Sequence, residues 1–505
     1  MSSESSTFDW RFVAFGYVYL TVQNILSTLI GVLGYSFLAR SVSQVDVGVV
    51  AGLTLLASFF QLLSDFSLNQ SLAKFVSELK GRGEGSSSHF LSAMVFRVAL
   101  ASFLSLLLFL FPEGFSLLLF KTSSYSPLVR ILSLDVLLLS VLPLLSSFLL
   151  GAGRLKEIAC YGLASTLVRW VSIIVFLLQG FGVPGVVLGW ILGDSLGVAT
   201  YSISVLRSGA LGSMVFNLKG TLAKLLRFSF PLYLASVVSF LYSYYDRVVV
   251  LAFLPLSDVG VYDVAYRVFS VLVAFTAPFS SALFPYYGSA YGRNDHESMS
   301  SAVTRASKYS ALIFSPLALG LFATSRPVIT LFAGQQYEDG CVVLSILCLF
   351  ALVYSVSPAF SNLLLIYGKT GTILLLSLLP VAVSLLALPL LQFLGLNGLA
   401  LMKGFSMLVS FTLSLHVLSR VVRIRLDHPA LLKTFSSSTM MALIVMVVEQ
   451  LYYSKFLLPF YVVLGGIVYM FFLRLLKVLS EEDLAFLQQV FGGKIGLVVR
   501  KTLYR

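Results

Sequence analysis

The sequence predicts an all-α polytopic membrane protein of about fourteen transmembrane helices, built as two pseudo-symmetric six-helix bundles plus two extra helices. Three observations carry that expectation. The first is composition: of 505 residues, 58% are hydrophobic and only 11% charged, against about 25% charged in a soluble domain. A soluble chain has no means of burying so much apolar surface, whereas a surface facing lipid leaves it exposed. The second is a series of apolar stretches of about 20 residues, the length that crosses a hydrocarbon core as a helix. The third is a set of short markers that returns at a nearly constant shift.

The stretches are 12–38, 47–70, 89–111, 127–150, 158–179, 184–206, 229–253, 259–284, 309–325, 341–366, 372–394, 397–419, 435–453 and 457–476. The start, MSSESSTFDWRF, has no basic region and no short apolar core ending in small residues. The first stretch is therefore read as a retained span, not a cleaved signal.

Lys and Arg set the orientation. With the N-terminus inside, the outer segments hold only Arg40, Lys121, Arg326 and Lys455. The inner segments gather Lys74, Lys80 and Arg82; Arg154 and Lys156; Arg207, Lys219, Lys224 and Arg227; Arg293, Arg305 and Lys308; and the basic residues after 419 and 473. The positive-inside rule then places both termini in the cytoplasm of a multi-pass plasma-membrane protein. The net charge of +12 reads as topology and attraction to anionic headgroups, so no nucleic-acid partner is expected.

The markers divide the chain. Asp46-Val47-Gly48-Val49 returns as Asp258-Val259-Gly260-Val261, a shift of 212 residues. The turn Gly182-Val183-Pro184-Gly185 returns in form as Gly395-Leu396-Asn397-Gly398, shifted by 213, and Gly153-Arg154 as Gly368-Lys369, shifted by 215. The expected division is a six-helix bundle over 1–212, a second over 213–430, two further spans over 431–476 and a cytoplasmic tail over 477–505. The tail carries Ser480-Glu481-Glu482-Asp483 before LAFLQQVF, a capping-box pattern opening a short amphipathic helix. Six is even, so both halves enter the membrane in the same direction. That is the parallel-repeat plan of alternating-access transporters.

Catalytic and metal chemistry is not indicated. Cys160, Cys341 and Cys348 form no CxxC pair, and His89, His296, His416 and His428 are scattered. No Walker sequence, GxSxG or HExxH occurs. No cofactor is expected, and transport coupled to H+ or Na+ is left open.

Three segments resemble the polysaccharide and lipid-linked oligosaccharide flippases of the multidrug/oligosaccharidyl-lipid/polysaccharide exporter superfamily. They are LARSVSQVDVGVVAGLTLLASFFQLLSDFSLNQSLAKFVSE at 38–78, YYDRVVVLAFLPLSDVGVYDVAYRVFSVL at 244–272 and RPVITLFAGQQYEDGCVVLSILCLFALVYSVSPAFSNLLLIYGKTG at 326–371. In the last, Phe332-Ala333-Gly334-Gln335-Gln336-Tyr337 stands where the family often shows Phe-x-Gly-x-x-Tyr. The resemblance covers roughly 12–420. It implies two six-helix bundles around a central cavity, with a polyprenyl-linked glycan passing from the cytoplasmic to the outer leaflet. The drug-extruding branch usually has twelve spans, so the two extra ones favour a lipid-linked sugar. Glycosyltransferases or polymerases of the same pathway are the implied protein partners, with membrane lipids around a chain that suffices as a monomer.

The candidate site residues are the charges that lie within spans, since a charge at the bilayer centre costs about 2.5–3.5 kcal/mol on insertion scales and so faces protein or water. They are Asp65, Arg97, Arg130, Asp135, Arg169, Asp194, Asp246, Arg247, Arg267 and Lys403, with the amides Asn24, Asn69 and Gln70. Arg267 leads, because a guanidinium grips a pyrophosphate or acidic sugar with two parallel hydrogen bonds. The alternative is a structural i,i+4 pair with Asp263. Asp246 and Arg247 point about 100° apart, so one lines the cavity while the other ties helices. Arg97, Arg169 and Lys403 are candidates for a basic wall. Asn24, Asp65, Asn69 and Gln70 form either a sugar-contacting surface or interhelical hydrogen-bond glue. Asp65 and Asp263 are the carboxylates that ion coupling would use. Two rivals are a cation-coupled drug or metabolite exporter, which wants an excess of carboxylates, and a lipid-linked sugar polymerase or ligase, which wants an external polar platform.

Overall fold

The computed structural model describes residues 10–208, 218–360, 362–420 and 426–479. The tail helix expected after Ser480 lies outside them. Among the described residues the chain is helical, with thirteen helical segments long and apolar enough to cross a membrane and a shorter apolar one, Gly371–Leu386. Contacts divide the chain into two compact units that part between Gly260 and Val261.

The first unit holds α1 (Trp10–Ser41), α2 (Gln44–Asp65), α3 (Leu68–Gly81), α4 (Ser87–Leu110), α5 (Pro112–Phe120), α6 (Ser126–Gly151), α7 (Leu155–Leu178), α8 (Gly182–Arg207) and α9 (Leu218–Phe253). Local chemistry starts and stops them. Ser43 opens α2 with a reciprocal box: its hydroxyl accepts from the Asp46 N–H and the Asp46 carboxylate accepts from the Ser43 N–H, both at 3.2 Å. Pro112 begins α5, where its missing N–H costs nothing. Span two was expected as one helix over 47–70. It breaks at Phe66 and Ser67, both left-handed with φ 45° and 52°.

By sequence, α9 is the first helix of the second repeat, yet it packs within the first unit. A ladder of contacts holds it to α2, α3 and α4. Phe59 meets Phe240, Phe66 stacks on Tyr233, and Phe75 meets Phe228. Ser67 to Ser236 at 3.1 Å lies between these rungs, and Tyr244 to Ser58 at 3.1 Å and Ser88 to Thr221 at 3.2 Å lie beyond them at either end. At the end of the ladder Lys74 and Lys224 both lie over the Phe75 ring. The helix also begins eleven residues before the expected 229, because its basic first turns are helical without being apolar.

The second unit holds α10 (Leu256–Ala274, its first turn counted with the first unit), α11 (Thr276–Gly292), α12 (His296–Ala323), α13 (Ser325–Phe332), α14 (Gly340–Phe350), α15 (Leu363–Ile366), α16 (Thr370–Leu386), α17 (Leu388–Ser419), α18 (His428–Leu451) and α19 (Leu458–Leu475). Asp295 caps α12, and hydrogen bonds from the Ser298 side chain and backbone hold its carboxyl below the usual range. The polar stretch behind that cap extends α12 well before the expected start at 309. Span ten, expected as one helix over 341–366, is α-helical only at its ends. Around Pro358 it tightens into 3-10 turns, since proline offers no N–H and crowds the carbonyl four residues back.

The repeat is visible in the backbone. Gly153 and Gly368 both take left-handed φ, 76° and 67°, after the fourth span of their halves. Gly182 and Gly395 do so before the sixth, at 57° and 53°. The helix breaks at Phe66-Ser67 and at Phe275 correspond, as do those at Phe111 and Thr324. The expected division between spans eleven and twelve survives only as the kink at Gly395, with ψ −129°, inside α17. That conformation is essentially closed to residues with a Cβ. Gly395→Ala meets no neighbouring atom, so its cost is backbone strain alone. A loss of about 1–3 kcal/mol is expected in an unfolding titration.

Within the second unit, α18 and α19 pack on α12. Ser315 and Ser438 hydrogen-bond at 2.8 Å inside the bundle, and Tyr469 donates to the Leu312 carbonyl at 2.9 Å. Leu319, Met441, Val445, Tyr461 and Leu473 form the core beneath them. Arg326 adds an ion pair to Glu338 at 2.7 Å and lies over the Tyr453 ring.

Candidate functional site

Polar chemistry inside the first unit collects in two ion clusters. The first is built by the break in span two. Asp65 ends α2 and Asn69 lies in the first turn of α3, on either side of the two left-handed residues. Both face Arg97 of α4, whose Nη2 donates to Asp65 Oδ1 at 2.5 Å and to Asn69 Oδ1 at 2.8 Å. The Arg97 side chain is fully buried and Asp65 about a fifth exposed. A guanidinium at that depth persists only when paired and hydrogen-bonded. The i,i+4 spacing of Asp65 and Asn69 led to one helical face; the structure instead converges them on one cation across a break.

The second cluster joins α6, α7 and α8. Arg169 donates to Asp194 at 2.8 Å, and the Asp135 carboxyl lies in hydrogen-bonding reach of Asp194. Glycine brings the helices this close: a Cβ on Gly193 would meet Arg169 itself. Asp135 and Asp194 are nearly inaccessible, while Arg169 keeps almost a third of its surface. The cluster therefore has one exposed cationic edge above two buried carboxyls. The sequence shows all three charges but not the pairing, because the partners come from different helices.

On α9, Asp246 is fully buried and the Arg247 guanidinium lies over the Tyr244 ring at 5.3 Å. The roughly 100° between neighbouring residues gives them these different surroundings. Asn24 and Gln70 are exposed on α1 and α3, and Asn24 offers its carbonyl to Thr28. In the second unit, Asp263 and Arg267 lie one turn apart on α10, Asp263 buried and Arg267 half-buried. Lys403 of α17 is buried too, and its ammonium sits 5.6 Å from the ring centre of Tyr266. Tyr266 was not anticipated. It links the Lys403 cation to the stretch of α10 that carries Arg267, and it stacks on Tyr262. Among the described residues, no group of three His, Cys, Asp or Glu side chains is placed to hold a metal ion.

Residues 37–343 match the family described as Polysaccharide biosynthesis protein. The chain belongs to that polysaccharide biosynthesis family. Relatives of this family member include the "Probable low-salt glycan biosynthesis flippase Agl15" of Haloferax volcanii, 24% identical over 84% of this chain and 87% of its own. Another is the "Succinoglycan biosynthesis transport protein ExoT" of Rhizobium meliloti, 27% identical over 62% of this chain and 60% of its own. Among solved structures, the lipid II flippase MurJ in an inward closed conformation matches with a TM-score of 0.71 at 17% identity, over 94% of this chain and all of that one. An inward-facing multidrug resistance MATE family transporter of the MOP superfamily matches at 0.61 and 16% identity, over 80% of this chain and 98% of that one. At such identities the two structures establish a shared fold for the family member, an all-α polytopic transporter architecture.

Proposed function

We propose that this chain is a flippase, not an enzyme. It carries a polyprenyl-(pyro)phosphate-linked oligosaccharide from the cytoplasmic to the outer leaflet by alternating access, for surface polysaccharide or glycoprotein assembly. The family match over residues 37–343 carries the reading. The relative named a glycan biosynthesis flippase, aligned along most of the chain, supports it. In this reading the moving halves are the sequence repeats, 1–212 and 213–430, with 431–476 beside them and both termini in the cytoplasm. The glycan enters between the halves while the prenyl tail stays in lipid.

Arg267 is the side chain assigned to the pyrophosphate or an acidic sugar, with Lys403 close to its stretch of α10. Arg247 and the exposed edge of Arg169 extend the cationic lining. Arg97, being spent on Asp65 and Asn69, fixes the wall. Energy comes from consumption of the product outside or from an ion gradient, with Asp65 and Asp263 as the carboxylates for H+ or Na+. One chain contains the whole path, so a monomer suffices.

Reconstitution tests this. A labelled prenyl-pyrophosphate oligosaccharide in proteoliposomes should cross only when protein is present. Arg267→Ala, at matched expression, should lower the rate about tenfold or more, the scale of one charge-assisted contact. Undiminished transfer removes Arg267 from the site. No transfer of any glycan, with ion-driven efflux of a cationic dye, replaces the reading with the drug-exporter one.

A further inference from the structure

Where α7 begins and α8 ends, the first unit contains a cavity of about 420 Å³ lined by Arg154, Lys156, Glu157, Cys160, Tyr161 and Arg207. It lies at the end of these helices that the distribution of Lys and Arg assigns to the cytoplasm. Three cations face it against one carboxylate. Arg154 is held in place: its Nη1 donates to Glu157 at 3.1 Å and reaches the Ser204 carbonyl at 3.4 Å. Lys156 and Arg207 are exposed and make no ion pair among the described residues. The N-cap of α7 is Arg154, with no side chain bonded to the first-turn N–H groups. Those donors add to the cationic character of the cavity. None of these residues belongs to the transport site described above.

A second observation says what such a cavity faces. Above it, Leu167, Val171, Val175 and Leu178 recur at helical spacing on α7, and all four are exposed. Lys156 and Cys160 begin the same stripe at the same spacing, and both are exposed too. One helix face thus runs from a cationic hollow at its end into an unbroken apolar strip along its length. That is the complement of a lipid with a phosphate headgroup and extended chains. Basic hollows between helices at the cytoplasmic side suit anionic headgroups.

We infer that the Arg154–Lys156–Arg207 cavity is a specific site for an anionic phospholipid of the inner leaflet, its phosphate in the cavity and an acyl chain along the α7 stripe. A phosphate there satisfies Lys156, Arg207 and the α7 N–H groups together. It also pins the α7–α8 hairpin to one leaflet. The inference rests on the topology and is independent of the glycan reading.

Native mass spectrometry of the full chain, delipidated in detergent and titrated with phosphatidylglycerol, phosphatidylcholine or a polyprenyl phosphate, tests it. Phosphatidylglycerol should bind about tenfold more tightly than phosphatidylcholine. Lys156→Gln/Arg207→Gln, which leaves the Arg154–Glu157 pair intact, should erase that preference while phosphatidylcholine binding stays unchanged. The triple variant with Arg154→Gln should do the same, and the raised melting temperature given by phosphatidylglycerol should vanish with it. Equal binding of the two phospholipids, or a preference kept by the double variant, overturns the proposal. So does a polyprenyl phosphate that displaces phosphatidylglycerol at lower concentration, since the cavity then belongs to the transported lipid.

Discussion

Replacing Arg97 by Ala should cost the protein about 3–5 kcal/mol of stability, the range for removing one partner of a buried ion pair. Two consequences act together. The Asp65 carboxylate, mostly buried, loses its cation at a depth where little water replaces it. The backbone break at Phe66-Ser67 loses the clamp that reaches both of its sides. Those two left-handed residues each carry about 1–3 kcal/mol of strain, and with Arg97 gone the ring contacts of Phe66 with Tyr233 and Phe96 and the Ser67–Ser236 contact are left to hold them. The double variant Arg97→Ala/Asp65→Ala discriminates between these terms. It removes the orphaned charge and should regain part of the loss, the remainder measuring the clamp. Unfolding in a denaturing-detergent titration, with flipping at equal expression, checks both numbers. If the single and double variants lose the same amount, the carboxylate is not the source of the cost.

Much of the membrane architecture was legible in the sequence because bilayer thickness sets span length. The failures share a cause. Spans two and ten look continuous because apolar content does not register backbone conformation. Nothing in LLSDFSLNQSL announces two left-handed residues, one of them a phenylalanine; only Pro358 offered a signal for span ten. The helical starts at Leu218 and His296 were placed too late because a basic or polar turn is helical without being apolar. The charges inside the helices could be picked out singly, since each is costly in lipid. Their partnerships were not. Arg169 with Asp194 and Lys403 with Tyr266 are separated by turns or by most of a half, and helical spacing gives no information across such distances. The repeat markers fared better, because a glycine turn is a local requirement that the two halves meet in the same way.

The marker Asp-x-Gly also predicts the second large effect. Gly48 and Gly260, one from each copy, meet at the start of α2 and α10, inside the first unit. A Cβ on Gly48 would strike the backbone carbonyl of Leu256, and one on Gly260 would strike that of Gln44. The contacts are reciprocal at the repeat shift of 212 residues, as in a two-fold interface where a patch meets its own copy. Backbone cannot swing aside as a side chain does, so either Ala forces the helix starts apart. Each single variant should lose about 1–3 kcal/mol, the usual cost of overpacking, and should slow transport where the crossing must hold. Gly48→Ala/Gly260→Ala should cost clearly less than the sum. Once the first methyl has parted the helices, the second finds room already made, so the two sites couple. A full double-mutant cycle read by unfolding in detergent measures that coupling. Strict additivity would mean the two glycines serve separate contacts, and the reciprocal crossing would then not be the reason for their recurrence.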